Sequence, residues 1–540
     1  MIQLHPLISI TGQDVNLKPF NNHHCLSLDH LAHEIYESLA RRFPICLSSD
    51  EFHFFPHYRS VYHDWSVWDD FSSGSVAEVI AEISQWESQL AALSFDVITG
   101  VNIGASTLIR LLKTLREQLT LVRFHENQPT FYLTIAGIGL TEALNAGSEE
   151  FALRIEGLPK FLDQAIANLK QLPHLYCEVG LEMAANICRW LSALPLQSVN
   201  CQSAVEALQK FIHGVKALEK RVEFLLPLEI YAHIVRYHMD CRASLEEIKD
   251  HLATEIEKTE ILMRKAARDL YPDASWQKTV ADLSKPVATH VDPTTVYHEI
   301  IEDLYCHCYE QKFLPANDTT NHGVEIQEIP DYMRPVRSDA AFSMPPGHPP
   351  GTGIFYILPA SAGIYIQADY RLLSAHETYP GHKLLDNSRW LLSSALQRPI
   401  EFPIFYEGWA SFSEEILFDT GFFSSAVDQL LIAKRRYWRA QRGLIDLSIH
   451  SGRWDLSTAV RNLIEKGLSP ITSRDMVRRY ALKPGYQLAY TIGRQRFYHL
   501  YVRYMARGGR IDSFVRSVLG AGEIGFDNLA QLLDIKEENN

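Results

Sequence analysis

Residues 370–382 read YRLLSAHETYPGH, and the fold depends on how the last seven are taken. Tyr370 to Tyr379 has helical spacing, and His376-Glu377 begins as a zinc-peptidase helix begins, with a second histidine still to come. In the usual His-Glu-x-x-His form the histidines are four apart, about 40° round a helix, so both rings reach one ion. His376 and His382 are six apart, which on an undistorted helix separates them by about 240° and about 9 Å along the axis. Rings so divergent cannot share a tetrahedral ion. Pro380, however, has no amide hydrogen for the carbonyl of His376 and clashes with it, while Gly381 permits backbone angles closed to other residues. The helix must deform. A local bulge that takes up the two extra residues returns His382 to the face of His376 and sets Glu377 beside an ion. The plainer alternative is a helix that stops at Pro-Gly.

Two histidines do not complete a catalytic zinc site, which has three protein ligands and one open position. The next candidate lies 25 residues on, where Glu407 begins a helical stretch in FYEGWASFSEEILF and Gly408 lets another backbone approach closely. His, His and Glu from two neighbouring helices is a catalytic zinc set, with Glu377 left free to activate water. Asp386 and Glu414 are candidates to orient the ligand imidazoles, and Trp409 reads as core packing. Further on, PGYQLAYTIGRQRF offers Tyr486, Tyr490 and Arg494. A phenol can donate to the oxyanion formed when water attacks a carbonyl, and a guanidinium can hold a substrate carboxylate at two points. Tyr490 and Arg494 are four apart, on one helical face.

Upstream, VEIQEIP (324–330), GIFYILPA (353–360) and GIYIQAD (363–369) are short, β-branched and aromatic, with Pro and Gly between them. They predict two or three strands of a small sheet leading into the motif helix. In a peptidase an edge strand there can hold an extended peptide by main-chain hydrogen bonds. Elsewhere the spacing is helical: HLAHEIYESLARRF, VAEVIAEISQWESQLAAL and STLIRLLKTLREQLTLVRF within residues 28–212, then LEEIKDHLATEIEKTEILMRKAARDLY from Leu245 to Tyr271. The expectation is a mainly α chain. An N-terminal helical region (1–215) precedes a helical catalytic region (216–540), the two possibly continuous in one two-lobed fold.

The 540 residues are 46% hydrophobic and 21% charged, a composition that builds an extensive core and excludes whole-chain disorder. A net charge of −14 without a long Lys/Arg block argues against nucleic acid or an anionic membrane as partner. Residues 1–20 lack the pattern of a signal peptide, and no run of about 18 apolar residues occurs. Eight irregularly spaced cysteines then read as reduced thiols of a cytoplasmic protein. Cys306 and Cys308, within the helical YCHCY, are expected to be buried structural thiols.

HETYPGH, EGWASFSEE and PGYQLAYTIGRQ together resemble the domain-of-unknown-function 885 family, whose hallmark is His-Glu-x-x-Pro-Gly-His followed by Glu-Gly-Trp-Ala. Its members are regarded as mostly helical zinc metallopeptidases, akin in architecture to the gluzincins and to carboxypeptidase Taq. The resemblance is strongest over residues 320–505, weaker over 215–315, and little is recognisable before that. It implies a large helical metallopeptidase fold with one Zn²⁺ per chain, held by His376, His382 and Glu407, with Glu377 as base. The family often carries His-His or Gln after the motif, where this chain has Lys383, Leu384, Leu385 and Asp386. The expected activity is hydrolysis of short or unfolded peptides, in the manner of a carboxypeptidase or dipeptidase. Its rivals are a metal-dependent hydrolase of a non-peptide amide and a non-catalytic helical peptide-binding protein. Retention of Glu377 weighs against the second.

Overall fold

A computed structural model describes residues 22–92, 100–194, 201–315, 323–337, 340–347, 351–358, 365–398 and 400–535. The reading of residues 1–20 lies outside them. The chain is mainly α-helical. Local chemistry starts the two longest helices at the centre: the hydroxyl of Ser244 accepts from the Glu247 amide while the Glu247 carboxylate accepts from the Ser244 amide, and Ser425 and Asp428 repeat the arrangement. The helices that follow, Leu245–Leu270 and Ala426–His450, pack along much of their length. Leu488–Ala506 packs against Ala426–His450 and, on another side, against Pro403–Asp419. At that last contact a Cβ on Gly408 would lie 2.6 Å from the backbone of Gly493, and one on Gly493 would lie 2.1 Å from the Ile404 carbonyl. Only glycine at both positions lets the backbones meet.

In the N-terminal region the helices Pro129–Ala146, Ser148–Asn168, His174–Ala193 and Gln202–Ala217 pack on one another. One continuous hydrophobic core runs from Leu28 to Ile535, so apolar contacts join both regions. A small satellite gathers Ile445, Ile449, Ala459, Leu463, Val477 and Tyr480. Among the described residues no helix is long and apolar enough to cross a membrane.

The sheet differs from expectation in its third member. Val324–Glu328 and Gly353–Ile357 are strands, as the two apolar runs suggested, and pair parallel; the other outer strand is Ala340–Ser343, antiparallel to Gly353–Ile357. The sequence AAFS carries too little β-branched character to be picked out beforehand. Tyr365–Ile366, from GIYIQAD, instead pairs with Val287–Ala288 in a separate two-residue ladder. Cys306 and Cys308 lie on the Pro293–Glu310 helix, and only Cys308 is buried; Cys306 faces solvent because two positions along a helix turn through about 200°.

Candidate metal centre

The motif helix breaks where the sequence required a deformation. Tyr370–Glu377 and His382–Leu391 are two helices, where a bulge within one was expected. Thr378 donates to the Ser374 carbonyl (2.8 Å) in the ordinary i→i−4 way; the Gly381 amide then reaches the Ala375 carbonyl (3.1 Å) and the Leu384 amide the Thr378 carbonyl (3.2 Å), each six residues back. The ladder thus skips two residues. A Cβ on Gly381 would sit 1.9 Å from the His376 carbonyl oxygen, so the crossing admits glycine alone. Trp409 is fully buried, as core packing requires, and its indole nitrogen also donates to the Pro380 carbonyl at 2.9 Å. The outcome is convergence: the His376 and His382 ring centroids are 4.9 Å apart, at 80°.

Glu407 enters from the Pro403–Asp419 helix, positioned by the Gly408–Gly493 approach. Its Oε2 lies 3.4 Å from His376 Nε2 and 3.5 Å from His382 Nε2. A tetrahedron with arms of about 2 Å has edges of roughly 3.3 Å, so these separations suit three ligands of one zinc ion. That oxygen is buried without a hydrogen-bond partner among the described residues, and a carboxylate oxygen left bare beside two imidazole nitrogens is the donor set of a cation site. Burial alone pushes the Glu407 carboxyl up, but the imidazoles of His376 and His382 close beside it outweigh burial and hold the group well below the usual range.

The remaining candidates fall into different places. Glu414 Oε1 is 3.1 Å from His376 Nδ1, and Glu414 also accepts from Arg439 (2.6 Å) and Arg435 (3.1 Å). Asp386 does not touch a ligand imidazole: it accepts from the Tyr406 hydroxyl (3.1 Å), and the Tyr406 ring stacks on His382 at 4.0 Å. The Nδ1 of His382 has no hydrogen-bond partner among the described residues. Tyr486 donates its hydroxyl to Glu407 Oε1 at 2.6 Å, so it grips the carboxylate rather than a substrate. Tyr490 lines the cleft with its ring 6.4 Å from that of His376 and nearly parallel to it.

Arg494 departs from the sequence reading. Its side chain is buried, with Nη1 2.7 Å from Glu415 and Nη2 3.5 Å from Glu255, and it does not line the cleft. One helical turn from Tyr490 placed it on the same flank, but the facing helices supply two carboxylates first.

The cleft above the His376, His382 and Glu407 cluster has a volume of about 410 Å³. Glu377 lines it, and burial, reinforced by the Glu407 charge and opposed by His382, raises its carboxyl to about 7. Ala340, Ala341 and Phe342 of the outer strand form part of the wall. Several lining groups carry no motif. His53 stacks on Tyr486 at 4.6 Å and meets Glu401 at 3.0 Å. Arg442 donates to Gln487 Oε1 (2.8 Å) and lies 4.5 Å over the Tyr490 ring. Arg435, Arg439 and Arg442 follow one another at four and three residues, a cationic helical face that was legible in the sequence and went unread. His53 left no such signal.

Two solved structures share the architecture. "The putative lipoprotein from Colwellia psychrerythraea" is 16% identical, with 95% of this chain and 98% of that one covered at a TM-score of 0.71. "A putative lipoprotein of unknown function from Shewanella oneidensis" is 14% identical, with 94% and 99% covered at 0.70. At such identities the likeness concerns the fold alone. No curated protein sequence matches the chain. The family model, in contrast, matches residues 58–533, far beyond the segment in which the resemblance was first visible, and the chain belongs to the family described as bacterial protein of unknown function, DUF885.

Proposed function

We propose that the chain is a zinc-dependent peptidase acting on short or unfolded peptides. The observation that carries this reading is the unpartnered, buried Oε2 of Glu407 facing the Nε2 atoms of His376 and His382 on the floor of a cleft lined by Glu377. The three residues would hold one Zn²⁺, which when bound supplies Lewis acidity toward a carbonyl oxygen and lowers the pKa of water. Glu377 takes the proton of the attacking water on its carboxylate and passes it to the leaving amine. Tyr490 offers its hydroxyl to the developing oxyanion. Tyr486 holds Glu407 Oε1 and so fixes which oxygen faces the histidines; Glu414, backed by Arg435 and Arg439, does the same for the His376 ring. The outer strand Ala340–Ser343 supports the main chain of an extended peptide along the cleft wall.

The seven described cysteines are all free thiols, which supports a reducing, cytoplasmic compartment.

The test separates holding from turnover. Zinc content and cleavage of a mixed peptide library are measured for the wild type, His382→Ala and Glu377→Gln. Glu377→Gln is expected to hold as much zinc as the wild type, with turnover lower by at least the 10²- to 10⁴-fold of an acid–base group. His382→Ala loses one equivalent of zinc relative to the wild type, and turnover with it. Full activity in Glu377→Gln overturns the reading.

A further inference from the structure

Outside the cleft, three ligand-type side chains converge on a second point. Glu117 Oε2 lies 2.7 Å from His233 Nε2 and 2.8 Å from His238 Nε2. The two rings stand at 90° with centroids 5.4 Å apart, so both nitrogens aim at one oxygen from different directions. Behind the cluster, the side-chain amide of Gln118 meets His238 Nδ1 at 3.0 Å. An amide can present either its NH₂ or its oxygen to that nitrogen, so it holds the ring in whichever tautomer leaves Nε2 free to ligate.

The backbone is deformed on both sides to produce this meeting. Five positions on an α-helix turn through about 500°, leaving His233 and His238 about 140° apart. Residues Ile234–His238 are instead a π-helical turn, in which the Met239 amide bonds to the Ile234 carbonyl five residues back (2.9 Å), and the wider turn brings the two rings to one side. Glu117 ends the Gly100–Glu117 helix where a second π-helical turn, Gln118–Val122, begins, closed by Arg123 onto the Gln118 carbonyl at 2.9 Å. Such turns are rare and gather at functional sites.

Access is graded. His238 is 1% exposed, Glu117 14% and His233 28%, so the cluster is anchored inside and open at one ligand, leaving room for water to complete a coordination shell.

We propose that Glu117, His233 and His238 form a second metal site, for a divalent transition ion of the zinc type. Two neutral imidazoles and a carboxylate are the ligands such ions select, whereas Mg²⁺ and Ca²⁺ favour all-oxygen shells. On ligation the Nε2 protons pass to solvent or to Nδ1, the three atoms open from hydrogen-bond separation to the roughly 3.3 Å edge of a tetrahedral site, and both Nε2 lone pairs and Glu117 Oε2 turn to the ion. The ion clips the end of the Gly100–Glu117 helix to residues 228–238, two segments more than a hundred positions apart in sequence, and so serves the structure rather than the peptide chemistry.

The experiment strips the protein with a chelator, reloads it with Zn²⁺ or Co²⁺, and counts ions per chain in the wild type, His382→Ala, His233→Ala, Glu117→Gln and the double variant His233→Ala/His382→Ala. His233→Ala, at the open edge of the cluster, and Glu117→Gln are expected to hold one ion fewer than the wild type, and the double variant none. Hydrogen exchange of the 228–240 amides should slow on adding Zn²⁺ to the wild type and to His382→Ala, and stay unchanged in His233→Ala. A wild-type ion count in His233→Ala, or exchange in that segment indifferent to Zn²⁺, overturns this site. If the ion lost in His382→Ala is the only one the wild type holds, the second site fails and the first stands; if His382→Ala loses none while His233→Ala loses one, the converse holds.

Discussion

Arg494 and Arg442 divide between them what the sequence had assigned to one residue. Arg494 is spent on Glu415 and Glu255 inside the protein, whereas Arg442 reaches the cleft beside Tyr490. Removing a buried cation costs roughly 3 kcal/mol when its carboxylates are stranded. Here Arg436 stays near both, 2.8 Å from Glu255 and 3.5 Å from Glu415, and softens the loss. Arg494→Ala should therefore lower the denaturation midpoint and leave the ratio of cleavage rates for free-acid and C-terminally amidated peptides unchanged. Arg442→Ala should shift that ratio toward the amidated peptide by about tenfold or more, the worth of a charge-assisted pair. Kinetics on matched acid and amide peptides check both; a ratio that moves with Arg494 and not with Arg442 restores the sequence reading. Residue types and spacing sufficed to bring His376, His382 and Glu407 together, because two histidines and a carboxylate that are to share one cation admit few arrangements. They could not distribute Asp386, Tyr486 and Arg494, because a carboxylate, phenol or guanidinium finds its partner across helices that spacing does not relate.

At the scale of elements, the turn before Leu488–Ala506 decides where Tyr486 and Tyr490 stand. Asp446, fully buried on the Ala426–His450 helix, accepts from the amides of Gly485 (2.9 Å) and Gln487 (3.1 Å) and from the Tyr231 hydroxyl (3.2 Å). Burial pushes its carboxyl from 3.8 up to about 7, against the pull of those donors. The folded state thus binds this proton more tightly than the unfolded chain does. Its contribution is complete below about pH 4 and is lost as pH rises through 7. Asp446→Asn cannot ionise, so its stability should fall less than that of the wild type between pH 5 and 7.5, although Asn offers one acceptor oxygen in place of two. Urea midpoints at the two pH values measure the difference; equal losses would show that Asp446 is ionised throughout. Helices were the legible elements, since their apolar period and caps are local. The Ala340–Ser343 strand was not, since Ala-Ala-Phe-Ser becomes a strand only through the Gly353–Ile357 neighbour that pairs with it.

Across the whole molecule, the cleft is assembled from segments that the sequence places far apart. Glu51 accepts from Lys483 (3.1 Å) and from Arg337, and His53 covers Tyr486, so residues of the N-terminal region finish a cleft whose His376, His382 and Glu407 cluster lies after residue 375. Nothing within residues 28–215 announced that role, because its groups act through position and not through spacing. The skipped ladder between Ala375 and Leu384 has a consequence at this scale as well. It offsets the bonding pattern across the break by two residues, so that Leu384 meets Thr378 as a residue four along an unbroken helix would. Excising Pro380 and Gly381 together leaves His-Glu-Thr-Tyr-His, and the present bond from Leu384 to Thr378 becomes an ordinary i→i−4 bond. Excising Gly381 alone leaves His382 about 100° out of phase. The double deletion should keep its zinc, weakened by loss of the Trp409 contact to Pro380, whereas the single deletion should lose it. Metal content of the two deletion variants, measured side by side, decides whether the reading frame of the helix, rather than the Pro-Gly pair itself, is what the site requires.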